Sequence, residues 1–284
     1  MPSRRALLLS VLPVLELDRG VIGFGGISGL HLADDLTVTA VSDVGRWLTA
    51  RLMLDGLVPR GLAGLRTGFL RDGAGVPLRR GREGDAECLA RTRDGTWRGG
   101  FERWHRIRAY RSLDGPGVYV EAPPGLDSAP PNGGLESLTV LADGRWFAIA
   151  EDLAAAQPGT VVAWMGGPGR WMQLAYRPAP DFSPTDACAL PDGGALVLER
   201  SFSLFGWFGA RLVHLPAAAL AQARPGSVLE GREMLSTRDA LPPENWEGVS
   251  VARLRGGLVA ALCSDDNERS FQRGLVALFP LDFG

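Results

Sequence analysis

Carboxylates recur along this chain at nearly fixed steps, each beside a short apolar run. The leading positions hold Ser28, Glu87, Glu136, Asp186 and Glu247, at intervals of 59, 49, 50 and 61 residues. Each is followed by an apolar run, a turn, a second apolar run and a closing acid: Asp43, Glu102, Glu151, Glu199, and Asp265 with Asp266. From leading residue to closing acid is 15 residues in the first three copies, 13 in the fourth and 18 in the fifth. Copies arranged about one axis would bring these side chains together. Four or more carboxylates at one place repel unless a cation or an arginine neutralises them. Hard oxygen ligands in number suit Ca²⁺, with Mg²⁺ second, and disfavour zinc. Glu87, Glu136, Asp186, Glu247 and Asp265 are therefore the expected metal ligands, and Asn132, Asn245 and Asn267 adjoin them with neutral oxygens. The competing arrangement is structural. Acids at repeat positions can pair with Arg46, Arg103 or Arg200, and the Glu102-Arg103 and Glu199-Arg200 neighbours favour that view.

A hydrolytic site would also need a base and a group to steady a developing anion. Asp43 or Glu102 fits the first role, Arg46 or Arg103 the second. His105 is the one histidine beside an expected channel acid and is a further candidate base, set against an ordinary packed or surface role. His31, His105 and His214 share no repeat position, which argues against a zinc triad. The chain shows no G-x-S-x-G elbow, P-loop or dinucleotide fingerprint in strand–helix context. Cys88, Cys188 and Cys263 lie in apolar runs without C-x-x-C spacing and read as small core hydrophobes.

The elements that must position these residues are strands. Glycine (38) and proline (20) punctuate short apolar runs in a chain of 284 residues, as many strands joined by tight turns require. Each copy has turn chemistry at its middle: Ala33-Asp34-Asp35, Arg93-Asp94-Gly95, Ala142-Asp143-Gly144, Asp192-Gly193-Gly194 and Arg255-Gly256-Gly257. Further strand-like runs come after each hairpin, giving four strands per copy, which is the blade of a β-propeller. The fold expected is all-β, a propeller of about five four-stranded blades, or six if a long interval hides a weak one. The fifth copy is one strand short, and the stretch from Leu7 to Leu17 can supply it and close the ring. Residues 1–23 are thus a closing strand or the remnant of a twin-arginine export signal (Ser3-Arg4-Arg5), and residues 24–284 one domain. The one helical stretch, Ala217 to Arg224, is too short to stand alone. A net charge of −2, with all 30 basic residues arginine, gives no field for nucleic acid. No apolar run is long enough to span a membrane as a helix.

Several segments together resemble the bacterial phytase-like family, known by its esterase-like activity of phytase. They include Phe24-Gly25-Gly26-Ile27-Ser28-Gly29-Leu30, Asp85-Ala86-Glu87, Asn132-Gly133-Gly134-Leu135-Glu136, Asn245-Trp246-Glu247-Gly248-Val249, and Ser264-Asp265-Asp266-Asn267 with Phe271-Gln272-Arg273. The resemblance spans residues 24 to 281. It implies a propeller, hydrolysis of carboxylic or phosphoric esters, and export to the periplasm or medium, whereas the short N-terminus leaves a cytoplasmic location open. Three functions are compatible with these residues: a Ca²⁺-dependent hydrolase of a small-molecule ester or phosphoester, a lactonase-like hydrolase, or a non-catalytic propeller with a structural metal. The last would bind a ligand or protein through aromatic loops such as 203–209. A monomer is expected in each case.

Overall fold

The computed structural model describes residues 12–202, 208–237, 240–269 and 272–283. The chain is a five-bladed β-propeller. Blade 1 is β2 (Ile27–Leu32), β3 (Thr37–Ser42), β4 (Arg46–Asp55) and β5 (Val58–Phe69). Blade 2 is β6 (Ala86–Arg91), β7 (Trp97–Phe101), β8 (Arg106–Tyr110) and β9 (Val118–Val120). Blade 3 begins with β10 (Leu135–Val140), β11 (Trp146–Ala154), β12 (Val161–Gly166) and β13 (Met172–Tyr176). Blade 4 has β14 (Ser183–Ala189), β15 (Ala195–Phe202), β16 (Phe208–Leu215) and, as its outermost strand, β18 (Arg232–Ser236). Blade 5 has β19 (Asn245–Leu254), β20 (Gly257–Asp265), β21 (Leu275–Pro280) and then β1 (Val14–Glu16) from the other end of the chain.

Neighbouring strands within a blade run antiparallel through turns of the expected chemistry. Gly95, Gly144, Gly193 and Gly256 take φ between 83° and 96°, which glycine adopts without penalty. The strands follow from where their side chains can go. Each blade presents one face to each neighbour, so its inner strands are buried on both sides and read as continuous apolar runs. Phe147, Ala148, Ile149 and Ala150 on β11 are all fully buried. The core is accordingly divided into five apolar clusters, one at each interface between blades. Trp164 and Ala148 pack toward blade 2, for example, and Phe147 and Ile149 toward blade 4.

The ring closes through the N-terminal strand. Val14, Leu15 and Glu16 pair antiparallel with Ala277, Val276 and Leu275, and Leu17 N donates to Gly274 O at 2.7 Å. This pairing covers the outer edge of blade 5 and locks the two ends of the chain together. Residues 1–11, which include the twin-arginine motif, lie outside the described residues, as do 203–207 of the aromatic loop. The long interval before Glu247 hides no sixth blade. It holds a strap: a six-residue helix (Ala217–Gln222), then β17 (Val228–Leu229), which joins β13 of blade 3 in parallel before the chain returns to β18 of blade 4.

Candidate metal centre at the acidic mouth

The innermost strands β2, β6, β10, β14 and β19 break register at the same step. Pairing jumps between Ile27 and Gly29, Ala86 and Cys88, Leu135 and Ser137, Pro184 and Asp186, and Trp246 and Gly248. The residue left over is Ser28, Glu87, Glu136, Thr185 and Glu247 in turn. A β-bulge re-aims its extra side chain, and bulges recur beside functional sites for that reason. The closing positions obey the same register. Asp43, Glu102 and Glu151 donate their backbone N–H to Gly26 O, Asp85 O and Gly134 O at 3.0, 2.9 and 3.0 Å. In the other two blades Arg200 pairs with Ser183 and Asp265 with Asn245.

These two rings meet at one mouth of the channel. Oxygens of Asp85, Glu87 and Glu102 lie within 4.8 Å of one another, and so do those of Glu102, Glu136 and Glu151. Glu102 belongs to both groups. Its Oε1 also accepts the backbone N–H of Gly134 at 2.6 Å, which fixes the carboxylate between blades 2 and 3. Burial pushes Glu136 well above the usual carboxylate range, and Glu87, Glu102, Glu151 and Glu247 push it further. Glu87 is raised in the same way by burial and then by Asp85, Glu102, Asp43 and Glu247. Asp43, Glu247 and Asp265 are each raised to about 7, first by burial and then by neighbouring carboxylates, against which Arg200 holds Glu247 down.

Arg200 is the counter-charge of the ring. Its Nη2 pairs with Glu151 Oε1 at 2.9 Å, and its Nη1 pairs with Glu247 Oε1 and donates to Asn245 Oδ1 at 2.7 Å. The Nδ2 of Asn245, itself 1% exposed, has no partner among the described residues. Arg200, with Arg103 on Asp85 at the rim, cannot balance this many acids, so the remainder must be protonated or bind a cation. The donors are all oxygen. Separations up to 4.8 Å match the edges of a shell around an ion with ligands at about 2.3–2.6 Å, the Ca²⁺ range. The residues therefore fit Ca²⁺, and Glu102 is common to both carboxylate groups.

Other expected site residues lie elsewhere. Asp186 stands one residue past the bulge, where Thr185 takes the ring position. Its Oδ2 accepts Val249 N and its Oδ1 accepts Ala187 N, both at 2.8 Å, so it ties blade 4 to blade 5. Glu199 likewise yields the closing position to Arg200. It faces blade 3, where it accepts from Tyr176 Oη at 2.5 Å and pairs with Arg211 at 3.2 Å. Asp265 is in the ring, with Oδ1 accepting Asn267 N at 2.7 Å, while Asp266 pairs with Arg19 at 2.9 Å. Arg103 Nε sits 2.7 Å from Asp85 Oδ2 at the half-exposed rim. Arg46 stacks its guanidinium 4.0 Å from the Phe69 ring centroid and 5.4 Å from that of Phe24. His105 contacts the carbonyls of Ala129 and Pro130 through Nε2, at 3.3 and 3.1 Å, and its ring lies where a Cβ on residue 134 would sit. A carbonyl only accepts, so Nε2 carries a proton there, and the ring fastens a loop.

Three members of these carboxylate groups are not among the expected metal ligands. Glu102 is expected as a base and Glu151 only as a closing acid, although its 15-residue step from Glu136 equals that from Glu87 to Glu102; Asp85, two residues before Glu87, has no role assigned.

The profile of the phytase-like family, described as esterase-like activity of phytase, matches residues 22–268. The chain belongs to this family. Its matched region holds every ring residue named above. No curated protein matches this phytase-like chain significantly. Among solved structures, a gluconolactonase candidate superposes with a TM-score of 0.51 at 12% identity, covering 99% of this chain and 98% of that one. An α-L-arabinofuranosidase from Podospora anserina in complex with cellotriose gives 0.55 at 12% identity, covering 96% of each chain. At this identity the two similarities speak for the fold.

Proposed function

We propose that this phytase-like propeller is a Ca²⁺-dependent hydrolase of a small ester or phosphoester, working at the acidic mouth. The observation that carries the reading is the pair of carboxylate triads joined through Glu102. Asp85, Glu87, Glu102, Glu136 and Glu151 would hold the ion, which when bound polarises an ester oxygen and lowers the pKa of water. Asp43 is the base we assign. Its Oδ1 is buried without a partner among the described residues, and its carboxyl sits at about 7, where a base is both free and strong enough to take a proton. Arg103, held at the rim by Asp85, would meet the anionic end of the substrate. The family's description supports an ester as the scissile group.

Calorimetric titration of chelator-stripped protein with Ca²⁺ tests the centre. Binding should be stoichiometric and weakened about tenfold or more in Glu102→Gln and Glu136→Gln, which is about 1.4 kcal/mol or more. Aryl phosphates, aryl esters and lactones, each assayed with and without Ca²⁺, then identify the substrate class. Turnover should rise through pH 7 and lose that rise in Asp43→Asn. No heat and an unchanged melting temperature would remove the metal and the hydrolase with it. Binding without turnover of any of these would leave a ligand-binding propeller with a structural ion.

A further inference from the structure

The opposite end of the channel carries the other sign. The inner strands run from the acidic mouth to this end, where a cavity of about 630 Å³ is lined by residues of all five blades. Arg91, Arg93 and Arg253 stand at it, with His31 beside them. Neutral groups hold two of these guanidiniums in place. Arg91 lies 5.0 Å from the Trp97 ring centroid, and Arg93 donates to Ala142 O. His31 meets the same tryptophan edge-on, with centroids 5.1 Å apart at 76°. Among the described residues no carboxylate comes within ion-pair distance of the three arginines. The one acid on the cavity wall, Asp34, has its Oδ1 occupied by the backbone N–H of Arg253 at 2.7 Å. The wall thus carries three guanidiniums against one carboxylate, a net positive charge, and part of it is fixed in advance, which lowers the entropic cost of binding. Burial and Arg91 bring His31 to about 4, so near pH 7 it adds a hydrogen bond without charge. Leu141, Leu190 and Leu258 supply apolar wall.

We propose that this second mouth binds a small organic oxyanion, a carboxylate or phosphoryl group on an apolar body, with Arg91 and Arg253 holding the anionic head. The inference stands apart from the hydrolase reading, because it uses no residue of the acidic mouth. Guanidinium forks suit both kinds of oxyanion, and the wall suits the apolar part.

Phenylphosphonate, which has no ester to cleave, is the probe, with benzoate as the carboxylate arm and benzyl alcohol as the uncharged control. Calorimetry on the full chain should give saturable binding of phenylphosphonate or benzoate at a Kd of about 1 mM or tighter, and the stronger of the two names the head group. Benzyl alcohol should bind at least about tenfold more weakly. Arg91→Gln and Arg253→Gln should each weaken the anion about tenfold, with melting temperatures unchanged because both side chains are exposed. Glu136→Gln and added Ca²⁺ should leave it alone. Loss of anion binding in Glu136→Gln, dependence on Ca²⁺, equal binding of benzyl alcohol, indifference to both arginine changes, or no saturation by about 10 mM would each overturn the proposal.

Discussion

Arg200 does at the residue scale what the acids cannot do for one another. It spans Glu151 and Glu247 across three blades and leaves less than a quarter of its own side chain exposed. Removing one partner from such a network strands the others, a loss of about 3 kcal/mol or more for a buried pair. Arg200→Gln should therefore lower the stability of the metal-free protein, read by urea unfolding, by that amount. Saturating Ca²⁺ should recover part of it, because an ion at Glu151 offsets the missing guanidinium. An equal loss with and without Ca²⁺ would separate Arg200 from the centre. The same residue explains which parts of the site were legible. Glu87, Glu136 and Glu247 are found by spacing because each is the extra residue of a bulge. In the fourth copy the ring residues are Thr185 and Arg200, while acids happen to stand one place away at Asp186 and Glu199. A search for acids slides by one residue there, and in a strand one residue is the opposite face. Only the pairing register corrects it.

Bulges are the elements that make the mouth, and the residue after each bulge is small or buried: Gly29, Cys88, Ser137, Asp186 and Gly248. Inner strands of adjacent blades approach there too closely for more. A Cβ on residue 29 would come 2.8 Å from Leu89 N and 2.9 Å from Cys88 C, and one on residue 248 would come 2.9 Å from Ser28 O. These neighbours are backbone and cannot swing away. Gly29→Ala and Gly248→Ala should each cost about 1–3 kcal/mol, the range for overpacked sites, read as a fall in thermal midpoint. Gly61→Ala, on the outer strand β5 with open space around it, should change little. Ca²⁺ affinity should fall with Gly29→Ala, whose clash is with the backbone of Cys88 and Leu89 beside Glu87, and hold in Gly61→Ala. Strands and hairpins were readable because glycine turns and apolar runs are local features. The short helix that opens the strap was legible, but the strap's pairing to blade 3 was not. Two residues of parallel pairing to another blade carry no local pattern, and its length only showed as a long interval.

Across the whole molecule the charge is arranged along the channel, with acids at one mouth and arginines at the other, and the acidic mouth sets how stability depends on pH. In the unfolded chain aspartate and glutamate titrate near 4. In the fold Asp43, Glu247 and Asp265 titrate at about 7, and Glu87 and Glu136 are raised as well. Between those values the folded protein holds more protons than the unfolded one. Stability must then fall as pH rises through this window, because the unfolded state gives up its protons first. Metal-free protein should melt higher at pH 5 than at pH 8, losing about 5 °C or more between them, the equivalent of about 2 kcal/mol for a chain of this size. Ca²⁺ should invert the slope. An ion held by ionised carboxylates binds better as protons leave, so the gain in melting temperature on adding it should be small at pH 5 and large at pH 8. Glu136→Gln removes one of the raised groups and should flatten the metal-free curve while cutting the Ca²⁺ gain. Scanning calorimetry at four pH values, with chelator and with Ca²⁺, measures all three. A melting temperature that climbs steadily from pH 5 to 8 in chelator would mean that the ring acids are already ionised and paired, and the case for a cation at this mouth would go with it.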